Sequence, residues 1–139
     1  MLHTYDPKQV SVVVGGATLS GYADDTFVEV ARDEDMWALN IGADGEGARS
    51  KSNNRSGTVT ITLQQTSEGN RILSDLAVAD ELTNSGVFPC LVKDSSGASI
   101  HVAEQAWVQK MPDSAYARES GTREWVIRTD SLSTFVGGN

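Results

Sequence analysis

The sequence predicts a mainly β chain with a single helix (β+α): a β-sandwich or barrel with one packed α-helix and one long loop between strands. Three observations carry this. Apolar residues recur with period two along most of the chain, the mark of half-buried strands. An apolar stripe of helical period occurs once, between residues 67 and 82. With one helix, repeated βαβ winding is unavailable, so the strands must cover one another. The 139 residues fit a single domain, 1–139, long enough to bury a core without covalent staples.

The elements follow in order. Val10, Val12 and Val14 alternate with Gln9, Ser11 and Val13. Gly15-Gly16 supplies a tight turn, because glycine reaches positive φ, and Ala17–Tyr22 returns as the second arm of a hairpin. Thr26–Arg32 and Trp37–Ile41 are expected to form a second hairpin, with Asp33-Glu34-Asp35 as its solvated tip. Gly42–Ser56 then runs for fifteen residues without a large apolar side chain, and it holds Arg49, Lys51 and Arg55, three of the chain's eleven bases. Loops of that length are usually functional or disordered. This one reads either as a floppy hairpin tip or as an arm that orders against an acidic neighbour.

Gly57–Gln65 is the cleanest strand. Val59, Ile61 and Leu63 point to a core, while Thr58, Thr60, Thr62 and Gln64 form a polar, uncharged, β-favouring face. That face suits a wall that is partly covered or shared, or an ordinary solvent face. The helix spans about Ser67 to Leu82, with Thr66 or Ser67 as N-cap and Ile72, Leu73, Leu76, Ala79 and Leu82 as its apolar stripe. Asn84-Ser85-Gly86 ends it. Val87–Lys93 is a strand in which Pro89 implies an edge or a bulge. The apolar phase of Ser99–Lys110 shifts between Val102 and Trp107, which a bulge or bend near Glu104 would explain. Pro112–Gly121 is a loop, Arg123–Thr129 a strand, and Ser131–Val136 a last strand.

No constellation for chemistry emerges. His101 has no partner by spacing, and Cys90 alternates with Phe88 and Val92 as a core residue would. There is no nucleophile elbow, zinc helix or paired cysteine motif. The glycines at 42, 45 and 47 lack the Lys ending of a phosphate loop. No catalytic residue, metal or cofactor is expected. Nineteen acids against eleven bases give a net charge of −8, the wrong sign for gripping nucleic acid by its phosphates. No segment approaches the ~20 apolar residues of a membrane helix, and no leader is read at Met1–Pro7.

The segments YDPKQVSVVVGG and NNRSGTVTITLQQTSEGNRIL, with the order of elements around them, resemble the tail tube proteins of contractile-tailed phages, whose fold is similar to the Hcp tube of type VI secretion. The resemblance covers nearly the whole chain. It implies a non-enzymatic virion subunit whose copies form hexameric rings, with inner strands joined into a continuous barrel around a lumen that conducts DNA without binding it specifically. The helix would lie outside that barrel. The 42–56 loop would reach a neighbouring subunit or ring, making Asp44, Glu46, Arg49, Lys51, Asn53, Asn54 and Arg55 interface residues. Thr58, Thr60, Thr62 and Gln64 would face the lumen. Implied partners are other copies of the chain, the tail sheath, the tape measure and baseplate proteins, with no membrane. Rival readings are a tube initiator or other tail component, and a small β-barrel binding module in which Trp37, Trp107 and Trp125 line a ligand site.

Overall fold

The computed structural model describes residues 1–139. Ten strands and one helix run in the order β1 (Val10–Val14), β2 (Ala17–Thr18), β3 (Val28–Arg32), β4 (Trp37–Ile41), β5 (Gly47–Lys51), β6 (Gly57–Gln64), α1 (Gly69–Thr83), β7 (Phe88–Asp94), β8 (Ile100–Lys110), β9 (Thr122–Thr129) and β10 (Leu132–Phe135). The main sheet has the order β2-β1-β7-β8-β9-β6-β3, with β10 added to β8. Every pairing between these strands is antiparallel. The segment between β2 and β3 closes the sheet on itself. The Leu19 N–H donates to the Val12 carbonyl at 2.9 Å, and the Gln64 N–H donates to the Gly21 carbonyl at 2.7 Å, so this segment spans from the β1 edge to the β6 edge. The result is a barrel, one of the two expected architectures.

Period two explains the core. Val12 and Val14 of β1, Val59, Ile61 and Leu63 of β6, Cys90 and Val92 of β7, and Trp125 and Ile127 of β9 all point inward and are buried. The phase shift in β8 is a bulge: Phe88 lies opposite Ala106 but Cys90 opposite Ala103, so one extra β8 residue is accommodated around Glu104 and Gln105. Either side of it, β8 takes different partners, β10 over Ile100–Ala103 and β9 over Ala106–Lys110. Pro89 sits at this bulge in an interior strand, and its carbonyl accepts the Gly15 N–H at 2.9 Å just beyond the end of β1.

Helix α1 begins where the Ser67 hydroxyl accepts the Gly69 N–H at 3.1 Å, so Ser67 satisfies an orphan donor of the first turn. A Cβ on Gly69 would stand 2.9 Å from Leu63, which shows how closely the first turn abuts the end of β6. Leu73 is buried, and Ile72 and Leu76 pack on the core. Leu82, expected on the buried stripe, is exposed. After the left-handed Asn84 the chain folds back so tightly that a Cβ on Gly86 would meet the Leu76 carbonyl oxygen at 2.3 Å, leaving the last helical turn overhanging.

Two pairings differ from the sequence reading. Thr26–Arg32 and Trp37–Ile41 do not form a hairpin: β3 pairs with β6, and β4 pairs with β5. The Gly42–Ser56 stretch is correspondingly not one long loop, because β5 lies within it. Alternation alone reports that a segment is a strand and says nothing of its partner, so adjacency in sequence was a poor guide here.

Candidate functional site

The β4–β5 hairpin is joined to the barrel only at its base. Its register places Trp37 opposite Lys51, Leu39 opposite Arg49 and Ile41 opposite Gly47, so these six share one face, with Ala38, Asn40, Ala48 and Ser50 on the other. The turn is built from its own residues. Gly45 adopts φ +88°, the Gly42 N–H donates to the Glu46 carbonyl at 2.8 Å, and the Asp44 carboxylate accepts the Glu46 N–H at 3.1 Å. Absence of a side chain at Gly47 lets Ile41 and Leu39 lie across it, since a Cβ there would be 3.3 Å from Ile41. The Arg49 guanidinium sits 4.0 Å from the centre of the Trp37 ring, a cation–π contact. Every residue from Asp33 to Lys51 is exposed, Leu39 to 69% and Ile41 to 60%. An isolated two-stranded hairpin is marginal in water, and an apolar face on one calls for a cover.

The base is held firmly. Asp33 is no mere solvated tip: both its carboxylate oxygens accept from Arg128 at 2.8 Å, and the Ser56 hydroxyl donates to it at 2.6 Å. The Arg128 guanidinium, then Ser56, hold the Asp33 carboxyl below its ordinary range. Ser52 ties the two arms, its N–H donating to the Met36 carbonyl and its hydroxyl to Glu34. Asn54 accepts the Ser56 N–H at 3.0 Å, and Arg55 donates to the Ser133 hydroxyl at 3.1 Å. Asn53 is exposed. The seven expected interface residues therefore divide: Asp44, Glu46, Arg49 and Lys51 ride on the projecting hairpin, while Asn53, Asn54 and Arg55 belong to its root.

Thr58, Thr60 and Thr62 are half-buried and Gln64 exposed, all pointing away from the core. The face is less neutral than β6 alone suggests. Register sets Glu29 and Val126 on either side of Thr60, Arg128 beside Thr58 and Glu124 beside Thr62. Arg128 donates to the Thr58 hydroxyl at 2.6 Å.

The three tryptophans are not gathered. Trp125 is buried with its Nε1–H on Asn70 at 2.9 Å, Trp107 lies on the outer face opposite Arg128, and Trp37 is on the hairpin. A ligand site lined by all three is thereby overturned. Cys90 is a core residue whose thiol burial pushes up to about 12. His101 meets Thr134 across the β8–β10 pair, and burial lowers its pKa.

Sequence reasoning missed the strand β5 and the apolar face built on β4. Its available signal was Asp44-Gly45, a dipeptide that favours tight hairpin turns.

The chain is thus a closed β-barrel with one helix and a protruding, uncovered hairpin. Residues 5–137 match the family described as "Bacteriophage PhiTE tail tube protein", and the chain belongs to that family. It is 33% identical to "Structural protein ORF10" of Pseudomonas phage KPP10, over 98% of this chain and 83% of that one. Among solved structures, the fold is similar to the sheath/tube terminator of the PVC extracellular contractile injection system in its extended state, with TM-score 0.65, 10% identity and coverage of 97% and 99%. It is also similar to a chain of the PVC sheath–tube complex, with TM-score 0.62, 12% identity and coverage of 96% and 92%. The anti-feeding prophage tube-terminating cap follows at TM-score 0.61, 8% identity and coverage of 97% and 93%. The chain is a structural protein of the phage tail, a virion component and not an enzyme.

Proposed function

We propose that this chain is the repeating subunit of the tail tube, forming hexameric rings that stack around a lumen through which DNA passes. The observation that carries the reading is the β4–β5 hairpin, whose Trp37–Leu39–Ile41 face leaves Leu39 and Ile41 largely exposed in a single copy. Docked on a neighbour, that face loses its contact with water, and the hairpin gains the third layer it lacks. Asp44, Glu46, Arg49 and Lys51 then lie in the contact, with Asn53, Asn54 and Arg55 at its margin. Thr58, Thr60, Thr62 and Gln64 form the lumen wall. Glu29 and Glu124 beside them, with Arg128 on the same face already paired to Asp33, support a surface that repels phosphate rather than holding it. Tail sheath, tape measure and baseplate proteins are its partners, in keeping with the sheath–tube complex among its structural relatives. Electron microscopy of concentrated purified protein tests this: hollow tubes with six-fold end views are expected, and a strictly monomeric chain overturns it.

A second reading, a terminator that caps the tube, is favoured by the sheath/tube terminator and the tube-terminating cap among the structures of similar fold. Such a subunit forms one ring that does not elongate, and it is present in a few copies per particle rather than many. Counting copies in virions separates the two.

A further inference from the structure

We propose that the cleft around Arg123 is a carboxylate-binding site that receives Glu46 from the hairpin tip of a second copy of this chain. The inference rests on the tube reading and names where its stacking contact lies. Arg123 is 8% exposed, yet neither of the chain's two ion pairs, Lys110–Asp113 and Arg128–Asp33, involves it. Its guanidinium donates only to carbonyl oxygens, of Thr122 at 3.0 Å and Ala115 at 3.4 Å, and stands 5.4 Å from the centre of the Tyr116 ring. Carbonyl dipoles and a ring face do not neutralise a buried cation, and buried charges are ordinarily paired. The cleft it lines holds about 340 Å³ and carries Asn70, Ser114, Met111 and Trp125, room for a carboxylate with its aliphatic stem.

Glu46 fits that description. Its backbone is fixed in the turn, with N–H on Asp44 and carbonyl accepting from Gly42, while its carboxylate makes no ion pair within the chain. Asp44 uses its own carboxylate to hold the turn. The barrel register supplies the geometry. Strand β3 leaves the barrel at Arg32, opposite Gly57, the first residue of β6, and the hairpin follows from there. Arg123 pairs with Leu63 near the other end of β6, roughly 20 Å away at ~3.3 Å per residue. The root of the hairpin that carries Glu46 and the Arg123 cleft thus sit at opposite ends of one barrel, an arrangement suited to joining copies head to tail rather than about a two-fold axis. For a chain of net charge −8, a contact that meets a carboxylate with a buried guanidinium also relieves repulsion between copies.

Crosslinking tests it in the intact chain. Ala43→Cys and Ser114→Cys together place thiols at the hairpin tip and in the cleft while keeping Glu46 and Arg123, and buried Cys90 stays unreactive. A short bismaleimide is expected to give a ladder of multimers from the double variant, and none from either single one. Tubes without a ladder overturn this inference and leave the tube reading standing; neither tubes nor ladder overturns both. In parallel, Glu46→Gln is expected to raise the assembly concentration by about 10- to 100-fold, the scale of one charge-assisted hydrogen bond. Unchanged assembly of Glu46→Gln also overturns it.

Discussion

Replacing Leu39 and Ile41 together by serine should separate folding from assembly. Fully burying such a side chain is worth roughly 1.5–3 kcal/mol. With 69% of Leu39 and 60% of Ile41 still exposed in one copy, covering the rest in a contact contributes about 2–4 kcal/mol for the pair. At ~1.4 kcal/mol per tenfold, the double variant needs roughly 30- to 1,000-fold more protein to assemble. Its thermal unfolding should barely move, because exposed substitutions away from special features cost within about 0.5 kcal/mol. Sedimentation across a concentration series reads the assembly, and circular dichroism reads the fold. Ala38→Ser with Asn40→Ser, on the opposite hairpin face, is the control for a general loss of strand tendency and should assemble at close to the normal concentration. Assembly of the Leu39/Ile41 variant at wild-type concentration would refute the claim that this face is covered by a neighbour.

Three further outcomes are expected. Cys90, with a thiol pushed up to about 12 by burial, should ignore a soluble disulfide reagent at pH 8 in the native protein and react fully once urea unfolds it. Ile61→Ala, at a fully buried site in the barrel, should cost about 2–5 kcal/mol in urea unfolding, with assembly following from the lost fold rather than from the interface. Asp33 has its pKa lowered by Arg128, so the unfolded state binds its proton first as pH falls; its contribution is complete above the unfolded carboxyl value and vanishes as pH drops through the lowered one. Asp33→Asn should therefore flatten the acid side of the stability–pH curve measured by urea titration, and an unchanged slope would show that the Arg128 pair contributes nothing.

What was legible in the sequence was whatever depends on neighbours along the chain. Val59, Ile61 and Leu63 announce β6 because a pleated strand buries every second side chain, and the same rule exposed the β8 bulge through its broken phase. Pairing was not legible, since the alternation of Val28–Arg32 is the same whether its partner is β4 or β6. Strand β5, Gly-Ala-Arg-Ser-Lys, has no apolar alternation at all; it is a strand because the Gly45 turn delivers it alongside β4. Asp33 looked like one of three equivalent acids, and only the fold brings Arg128, 95 residues away, onto it. Arg123 looked like any polar strand residue until the 111–121 loop, tied down by the Gly121 N–H on Gln65, was laid over it. Burial of that kind comes from tertiary structure and leaves no local mark.

The proposed head-to-tail contact bears on how assembly would begin. A two-fold contact would be satisfied by two copies and stop there, whereas a hairpin at one end and a cleft at the other leave every added copy with one unused partner surface. Unrestrained growth would follow if each half-site were rigid and strong alone. Here the donor is a five-residue-per-strand hairpin with no layer behind it, and a lone pair of strands is only marginally ordered. Ordering it costs conformational entropy that a single contact offsets poorly; in the proposed ring several hairpins and several clefts would be presented at once, so the contacts would become mutually reinforcing. On that proposal, weak single encounters and strong ring-on-ring docking would follow from the same few residues. On this argument a stiffened hairpin should assemble without waiting for a template. Trp37 and Lys51 face each other across the hairpin base, and a disulfide introduced there by Trp37→Cys with Lys51→Cys would supply the stiffening while leaving Leu39 and Ile41 exposed. The oxidised variant should shorten the lag before polymerisation seen by light scattering, relative to its own reduced form, and an identical lag in the two forms would mean that hairpin order does not control the onset.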